Sequence, residues 1–152
     1  MVHIIHKILG IKTADAHCDI PCGIYTPEPA KTAAETVEKM VEKIQELPPP
    51  GLEDLQGGDA LALKSKFNSL ARFIAVKEQH AQICKQELLI LWTDYFKEEH
   101  LEMFPDLHDK FWKATKLCSQ NKREVNIEVA QELRKAVDEI AEMFAKAEAG
   151  KK

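Results

Sequence analysis

The chain has 152 residues, a formal net charge of −4 and 30% charged residues. This length fits one domain with a single hydrophobic core. No basic stripe is present, and general nucleic-acid binding is therefore excluded, because it requires clustered Lys and Arg to neutralise phosphates. No apolar run approaches the roughly 20 residues of a membrane-spanning helix, so a membrane protein is excluded as well.

Residues 1–16 are predicted to be a leader that is removed from the mature protein. Positions 14–16 read Ala-Asp-Ala, which resembles a small-residue processing site. The apolar run before them is interrupted by Lys7 and Lys12, whereas a secretory signal has a longer uninterrupted apolar centre. We therefore predict a pro-segment cut by a dedicated protease and a cytoplasmic protein. Export stays open, because the Ala-x-Ala spacing also suits a signal peptidase.

The first predicted helix begins after Thr26, which can cap it, with Pro27 in its first turn, where a missing N–H costs nothing. It is predicted to end at Leu47, because the Pro-Pro-Pro-Gly sequence of residues 48–51 cannot continue a helix. A loop follows over 48–59. The apolar stripe of this helix has the 3-4-3 spacing of one face: Ala34, Val37, Val41 and Ile44.

The second and longest predicted helix covers about residues 60–97, with Asp59 as its cap. Lys77 falls on its apolar stripe, so one inward position is polar. The stripe consists of Phe67, Leu70, Ile74, Ala81, Cys84, Leu88, Leu91 and Tyr95. The chain is predicted to turn over 98–105, since the residue before Pro105 disfavours helix.

A third helix is predicted over about 105–119 and a polar loop over 119–126, after which Asn126 caps the fourth helix. The inward positions of the third helix are Leu107, Phe111, Ala114 and either Leu117 or Cys118. Those of the fourth are Ala130, Leu133, Val137, Ile140 and Phe144. Four amphipathic helices without a strand pattern predict an all-α protein, with an antiparallel four-helix bundle over 26–152.

Residues 17–25 do not read as helix, and they concentrate metal-binding groups in one short segment. They are His17, Cys18, Asp19, Ile20, Pro21, Cys22, Gly23, Ile24 and Tyr25. After a cut behind Ala16, the amine of His17, the backbone nitrogen of Cys18 and the sulfurs of Cys18 and Cys22 can converge on one metal ion. Two nitrogens and two sulfurs in a plane favour Ni(II) or Cu(II) over Zn(II), which prefers a tetrahedron.

This donor set suits one-electron chemistry, because thiolates and an amide anion stabilise the higher oxidation state. The His17 imidazole is free to be an axial ligand. Pro21 stiffens the turn and Gly23 permits unusual dihedral angles. Tyr25 follows Cys22 closely enough to stand over the open face of the metal.

Other interpretations of Cys18 and Cys22 stay open from the residues alone: a disulfide, half of a structural zinc site, or two incidental thiols. The rival function is a helical binding or redox-sensing protein with a Cys18–Cys22 disulfide and no catalysis. The N-terminus discriminates between these readings. The metal site needs the cut after Ala16, because an acylated His17 nitrogen is a poor ligand.

Residues 17–25 resemble the nickel-binding hook of the nickel-containing superoxide dismutases, HCxxPCGxY. Residues 77–79, Lys-Glu-Gln, and 91–97, Leu-Trp-Thr-Asp-Tyr-Phe-Lys, are similar to that family's second-helix signature. Residues 105–108, Pro-Asp-Leu-His, resemble the stretch that follows it. Together the resemblance covers most of 17–119.

The resemblance implies a precursor, cut before His17, that converts superoxide to dioxygen and hydrogen peroxide by cycling Ni(II) and Ni(III). It implies that His17 supplies amine and imidazole, Cys18 amide nitrogen and thiolate, and Cys22 a thiolate. Asp19 and Pro21 are implied to hold the shape of the hook. The implied assembly is a homohexamer of four-helix bundles, with each hook at a subunit contact.

The resemblance also assigns roles to the side chains around the hook. Tyr25 gates the open face, and Tyr95 is the second tyrosine behind the site, with Asp94 and Trp92 as its supports. Lys97 is a candidate for attracting the superoxide anion, a useful local charge on a net-negative chain.

Two departures from the family pattern concern the His17 ring and the loop over 48–59. The family often holds the imidazole with a glutamate and an arginine, and the corresponding residues here are Ala33 and His80. Glu35 or His80 is predicted to substitute for them. The loop over 48–59 is longer than in familiar members and is expected to lie away from the hook.

The remaining candidates are predicted to be structural. His100 and His108 are expected at the surface or at helix ends, and Cys84 and Cys118 as buried small apolar residues. Large aromatic side chains are expected to fill the core and interfaces: Trp92, Phe96, Phe104, Phe111 and Trp112.

Overall fold

The computed structural model describes residues 24–48 and 60–150. These contain the four α-helices α1 (Glu28–Glu46), α2 (Ala60–Ile90), α3 (Leu107–Arg123) and α4 (Ile127–Ala149). Both α1 and α3 pack against α2 and α4, so the four helices surround one core. No strand occurs in this part of the chain, and the prediction of an all-α four-helix bundle is confirmed. Within the same ranges, no helix combines the length and apolar character needed to cross a bilayer.

The start and end of α1 lie within one residue of the prediction. Pro27 occupies the N-cap position, and the Thr26 hydroxyl accepts a hydrogen bond from the Glu28 amide at 3.3 Å. The helix ends at Glu46, because Leu47 is extended with ψ 124°, the conformation favoured before a proline.

The apolar stripes of all four helices form the core. Its side chains with at most 1% exposure include Ala34, Val37, Val41, Ala81, Cys84, Leu88, Leu107, Phe111, Ala114, Cys118, Ala130, Leu133, Val137 and Ile140. Burying one large aliphatic side chain of this kind contributes about 1.5–3 kcal/mol. On α3, Cys118 rather than Leu117 is the fully buried alternative.

Phe67 does not follow the predicted inward stripe of α2, since it is 52% exposed. Leu47 and Pro48, just after α1, lie beside Phe67 in one shallow pocket. The earlier turns of α2 therefore extend past the end of α1, where burial of the inward face is incomplete.

The connection between α3 and α4 is shorter than predicted, because α3 continues to Arg123 and only residues 124–126 remain. Polar side chains in the supposed loop complete the helix instead: the Ser119 hydroxyl donates to the Thr115 carbonyl at 3.2 Å. The predicted cap of α4 is confirmed, since the Asn126 side chain accepts from the Val129 amide at 3.1 Å.

Lys77 explains why α3 can end where it does. This α2 residue is 2% exposed, and its ammonium donates to the carbonyls of Asn121, Lys122 and Glu124. The last carbonyls of a helix have no partner within the helix, so the ammonium satisfies them. The predicted polar position on the α2 stripe is confirmed, and burial lowers the pKa of Lys77.

The end of α2 changes its hydrogen-bonding pattern. Leu91–Tyr95 form a π-helical turn, closed by the Phe96 amide on the Leu91 carbonyl at 3.0 Å. Helix therefore ends at Tyr95 rather than at the predicted residue 97, and a short 3-10 helix, Glu98–Leu101, begins the predicted turn toward α3. Single π turns redirect side chains and are frequent at functional sites.

Candidate functional site

The structure describes one part of the predicted site. The ligands and supports in the hook, His17, Cys18, Asp19, Pro21 and Cys22, lie outside the described residues, as do the predicted leader and residues 49–59 with the predicted cap Asp59. The predicted domain boundaries thus stay predictions. The remaining predicted site residues are described: Tyr25, His80, Trp92, Asp94, Tyr95 and Lys97.

Tyr25 is the last residue of the predicted hook and contacts Tyr95 at the end of the π turn. Their ring centroids are 6.0 Å apart with an interplanar angle of 63°, an edge-to-face arrangement. Tyr25 is half-buried, while Tyr95 is 3% exposed. The structure therefore brings together two tyrosines that belong to separate sequence motifs.

Tyr95 is surrounded by aromatic rings from its own segment and from α4. The centroid of Phe96 lies 4.9 Å away, that of His100 5.9 Å and that of Phe144 4.3 Å. The Tyr95 hydroxyl donates to the Glu148 carboxylate at 2.5 Å. Burial, this hydrogen bond and the charge of Glu148 all raise the pKa of Tyr95, so the phenol keeps its proton at neutral pH.

Of the two positions predicted for His100, the surface is wrong, since the residue is 7% exposed, and the helix end is confirmed, since it lies in the last turn of the 3-10 helix. Its Nδ1 accepts from the Lys97 amide at 2.9 Å, and its carbonyl accepts from the Phe104 amide at 2.9 Å. His100 thus closes the 3-10 turn while its ring lies flat against Tyr95. His108 is exposed, as predicted.

Trp92 connects the π turn to α3. Its Nε1–H donates to Nδ1 of His108 at 2.8 Å, and its ring stacks on Phe111 with centroids 5.7 Å apart. Because the indole can only donate, the proton of neutral His108 lies on Nε2. Asp94 accepts from the hydroxyl of the preceding threonine at 2.9 Å. None of these contacts of Trp92 and Asp94 is with Tyr95. Their predicted role as supports of Tyr95 therefore stays a prediction.

Lys97 is exposed at a pocket of ≈ 330 Å³ that Trp92 and His108 also line. An exposed ammonium beside a concave surface raises the local concentration of anions. Its position is compatible with the predicted attraction of superoxide, which stays a prediction.

His80 is better supported than Glu35 as the substitute partner of the His17 ring. Ala33, at one of the two family positions, is 2% exposed and packs in the core. Glu35 pairs with Arg134 on the surface at 3.5 Å. Nδ1 of His80, in contrast, is buried and has no hydrogen-bond partner among the described residues. Buried polar atoms almost always have a hydrogen-bond partner. A hydrogen bond with the His17 ring, as predicted, would supply one for Nδ1 of His80.

Cys84 and Cys118 are free thiols at 0% exposure, which confirms their predicted burial. A hydrogen bond with Cys118 and burial raise the pKa of Cys84, which keeps it in the unreactive thiol form. Within 24–48 and 60–150, no group of three or more His, Cys, Asp or Glu residues could hold a metal ion.

Glu148 was not predicted as a site residue, because α4 has many acidic residues on its solvent-exposed face and no motif in the sequence distinguishes Glu148 from them. Its place in the last turn is the available signal, since a helix dipole disfavours a carboxylate there. Phe144, predicted as an inward position, is half-buried and packs on the core cluster.

Comparison with known proteins gives a consistent result. A sequence model of the family described as nickel-containing superoxide dismutase matches residues 12–148. The nickel superoxide dismutase of Streptomyces seoulensis is 34% identical over 128 residues, which is 84% of this chain and 82% of the relative. That of Streptomyces coelicolor is 34% identical over 131 residues, 86% of this chain and 85% of the relative.

The fold matches as well. A solved native nickel superoxide dismutase aligns with a TM-score of 0.71 and 29% identity, covering 87% of this chain and 99% of that one. The family match spans the hook sequence, the π turn with Tyr95 and nearly all of α4. This chain therefore belongs to the nickel-containing superoxide dismutase family.

Proposed function

We propose that this chain converts superoxide to dioxygen and hydrogen peroxide at a nickel ion held by His17, Cys18 and Cys22. Family membership and the hook sequence support the activity and the metal. The observation that carries the site is the edge-to-face contact of Tyr25 with Tyr95 at 6.0 Å. It supports a hook that lies over this end of the bundle, because Tyr25 closely follows Cys22 in the chain.

The donor groups of the hook fit nickel chemically. Amine, amide and thiolate donors suit Ni(II) better than Zn(II). The amine exists only after cleavage between Ala16 and His17, so we assign 1–16 to a pro-segment, 17–25 to the hook and 26–152 to the bundle. Bound nickel supplies one-electron redox chemistry between the Ni(II) and Ni(III) states. Asp19 and Pro21 shape the hook.

The reaction consumes two superoxide anions and two protons for each dioxygen and hydrogen peroxide, so the site must admit an anion and control protons. Tyr95 is protonated at neutral pH, as an ordinary tyrosine is, and burial and Glu148 raise its pKa further, so it adds no competing negative charge. Tyr25, resting on Tyr95, orients water or superoxide at the open face. Lys97 attracts the anion through its exposed positive charge.

His80 is assigned as the partner of the His17 imidazole. Its Nδ1, which is buried and has no hydrogen-bond partner in the part of the chain that the structure describes, supports this role. Such outer partners fix the orientation of a metal ligand and tune its basicity. Trp92 and Asp94 precede Tyr95 in the π turn and are assigned as supports of Tyr95.

We further assign a homohexamer in the cytoplasm, formed after a processing protease has removed the pro-segment. Exposed apolar side chains support subunit contacts: Ile24 is 77%, Met103 51% and Trp112 53% exposed. Ile24 belongs to the hook segment 17–25, which supports a contact that covers this region.

Native mass spectrometry tests this proposal on protein from nickel-supplied cells that co-express the processing protease. A chain beginning at His17, with about one nickel per subunit in a hexamer and with dismutase activity, supports it. A full-length chain without nickel and with a Cys18–Cys22 disulfide, despite active protease, contradicts it and favours a redox-sensing protein.

A further inference from the structure

Glu148 occupies the last turn of α4, where its charge opposes the electrostatic preference of the helix. A carboxylate at this end meets the negative pole of the helix dipole. Although Glu148 is exposed, its carboxylate is bound to the hydroxyl of a residue with only 3% exposure, Tyr95. Residues that break a local rule in this way are concentrated at functional sites.

Two residues of α4 contact the two parts of the Tyr95 side chain. Phe144 packs on the ring with centroids 4.3 Å apart, and Glu148, one helical turn later, accepts from the hydroxyl at 2.5 Å. Residues four apart lie on the same face of a helix, so this pair acts as one contact surface. Among the described residues, His100 of the 3-10 turn and Tyr25 present titratable rings to Tyr95.

We propose that Glu148 is a positioning residue for superoxide dismutation: its carboxylate anchors the Tyr95 hydroxyl and thereby fixes the position of Tyr25 at the end of the hook. Glu148 holds the Tyr95 hydroxyl through a hydrogen bond, and the Tyr95 ring contacts the Tyr25 ring edge to face. Small displacements of positioning groups reduce turnover strongly. This inference rests on the proposed function of the hook.

The anchor is tested first without nickel chemistry. The chain has two tyrosines, so the Tyr25→Phe background leaves Tyr95 as the only phenol, and its ionisation can be followed by near-ultraviolet absorbance. In that background, Glu148→Ala is expected to lower the titration midpoint by about one pH unit, the size of one lost charged hydrogen bond. Glu148→Gln, which keeps an acceptor but loses the charge, is expected in between. Glu142→Gln, an exposed residue of the same helix, is the control without effect.

Turnover per bound nickel is then measured in the full chain with Tyr25 present. In Glu148→Ala, turnover per nickel is expected to fall about tenfold, the size of effect seen when residues around a metal site are replaced. Glu148→Gln is expected to be partly active, and Glu142→Gln to have the turnover of wild type. An unchanged Tyr95 midpoint overturns the inference, and so does a shifted midpoint with wild-type turnover. If the Ala variant does not fold, the Gln variant decides by the same two readouts. Inactive nickel-loaded wild type refutes the proposed function instead.

Discussion

The ammonium of Lys77 on α2 donates to the carbonyl of Glu124, just past the end of α3, at 2.9 Å across 47 residues of sequence. Two further carbonyls, of Asn121 and Lys122, accept from the same group. One buried cation therefore satisfies the end of a helix and joins it to its neighbour.

Replacing Lys77 by methionine is expected to destabilise the protein by about 2 kcal/mol. Methionine is similar in length to lysine but apolar, so the carbonyls at the end of α3 lose their donor, and an unsatisfied buried acceptor costs about 1–3 kcal/mol. Urea unfolding measures the change. Lys64→Met, at an exposed position of α2, is the control and is expected within about 0.5 kcal/mol of wild type. Equal stability of the two variants contradicts this prediction.

Stability is expected to fall as the pH rises above about 10, the ordinary pKa of tyrosine. The fold raises the pKa of Tyr95, so above this pH the unfolded chain releases a proton that the folded chain retains. The unfolding free energy then decreases by up to about 1.4 kcal/mol per pH unit, and below pH 10 this group causes no slope. Urea unfolding at several alkaline pH values checks the effect. Tyr95→Phe should remove this part of the slope and Tyr25→Phe should keep it; identical slopes in wild type and Tyr95→Phe would falsify the prediction.

His80→Ala is expected to reduce turnover per nickel about tenfold while the nickel content stays near that of wild type. The reason is the loss of a partner that orients the His17 ring, a class of change that typically costs 10- to 100-fold. Metal analysis together with a superoxide decay assay measures both quantities, and electron paramagnetic resonance reports whether an imidazole nitrogen is bound to the nickel. Gln86→Ala, exposed on the same helix, is the control. Unaltered turnover in His80→Ala refutes the assignment.

Lys97→Glu is expected to slow the reaction several-fold at low ionic strength and much less at high ionic strength. Attraction of superoxide by an exposed charge is screened over roughly 10 Å at 0.1 M salt. The measurement is kcat/KM as a function of salt. Lys135→Glu on α4 makes the same change in net charge at another exposed position and should have a smaller effect. Parallel salt dependences for the two variants argue against a role for Lys97.

The sequence predicted those parts of the fold that depend on regular apolar spacing. The stripes of α1 and α4 recur with the period of a helix face, and the polar Lys77 position is visible because it interrupts a stripe. The end of α3 was not predictable, because the ammonium that satisfies its carbonyls comes from a residue 44 positions away from Asn121. The π turn was missed because an apolar pattern does not distinguish π from α hydrogen bonding.

Site residues that lie in a recognisable motif were predicted from the sequence. Those that join the site only through tertiary contacts were not. Tyr25 lies in the motif of residues 17–25 and Tyr95 in that of residues 91–97, and the 6.0 Å between their ring centroids agrees with a common site. His100 looks like a surface residue of a polar turn, yet its ring packs on Tyr95 and its Nδ1 binds a backbone amide. Glu148 has no motif, and its bond to Tyr95 spans 53 residues.

Because Cys84 and Cys118 are buried, the thiols of the hook can be titrated separately in the native protein. Both thiols are at 0% exposure, and thiol reagents react with accessible thiolates. With four cysteines in the chain, a colorimetric thiol titration of native apoprotein should therefore register only the sulfurs of Cys18 and Cys22, and the denatured chain should register all of them. The native reading, set against the constant contribution of Cys84 and Cys118 in the denatured chain, measures on an unlabelled sample how much of a preparation still carries a reduced and loadable hook.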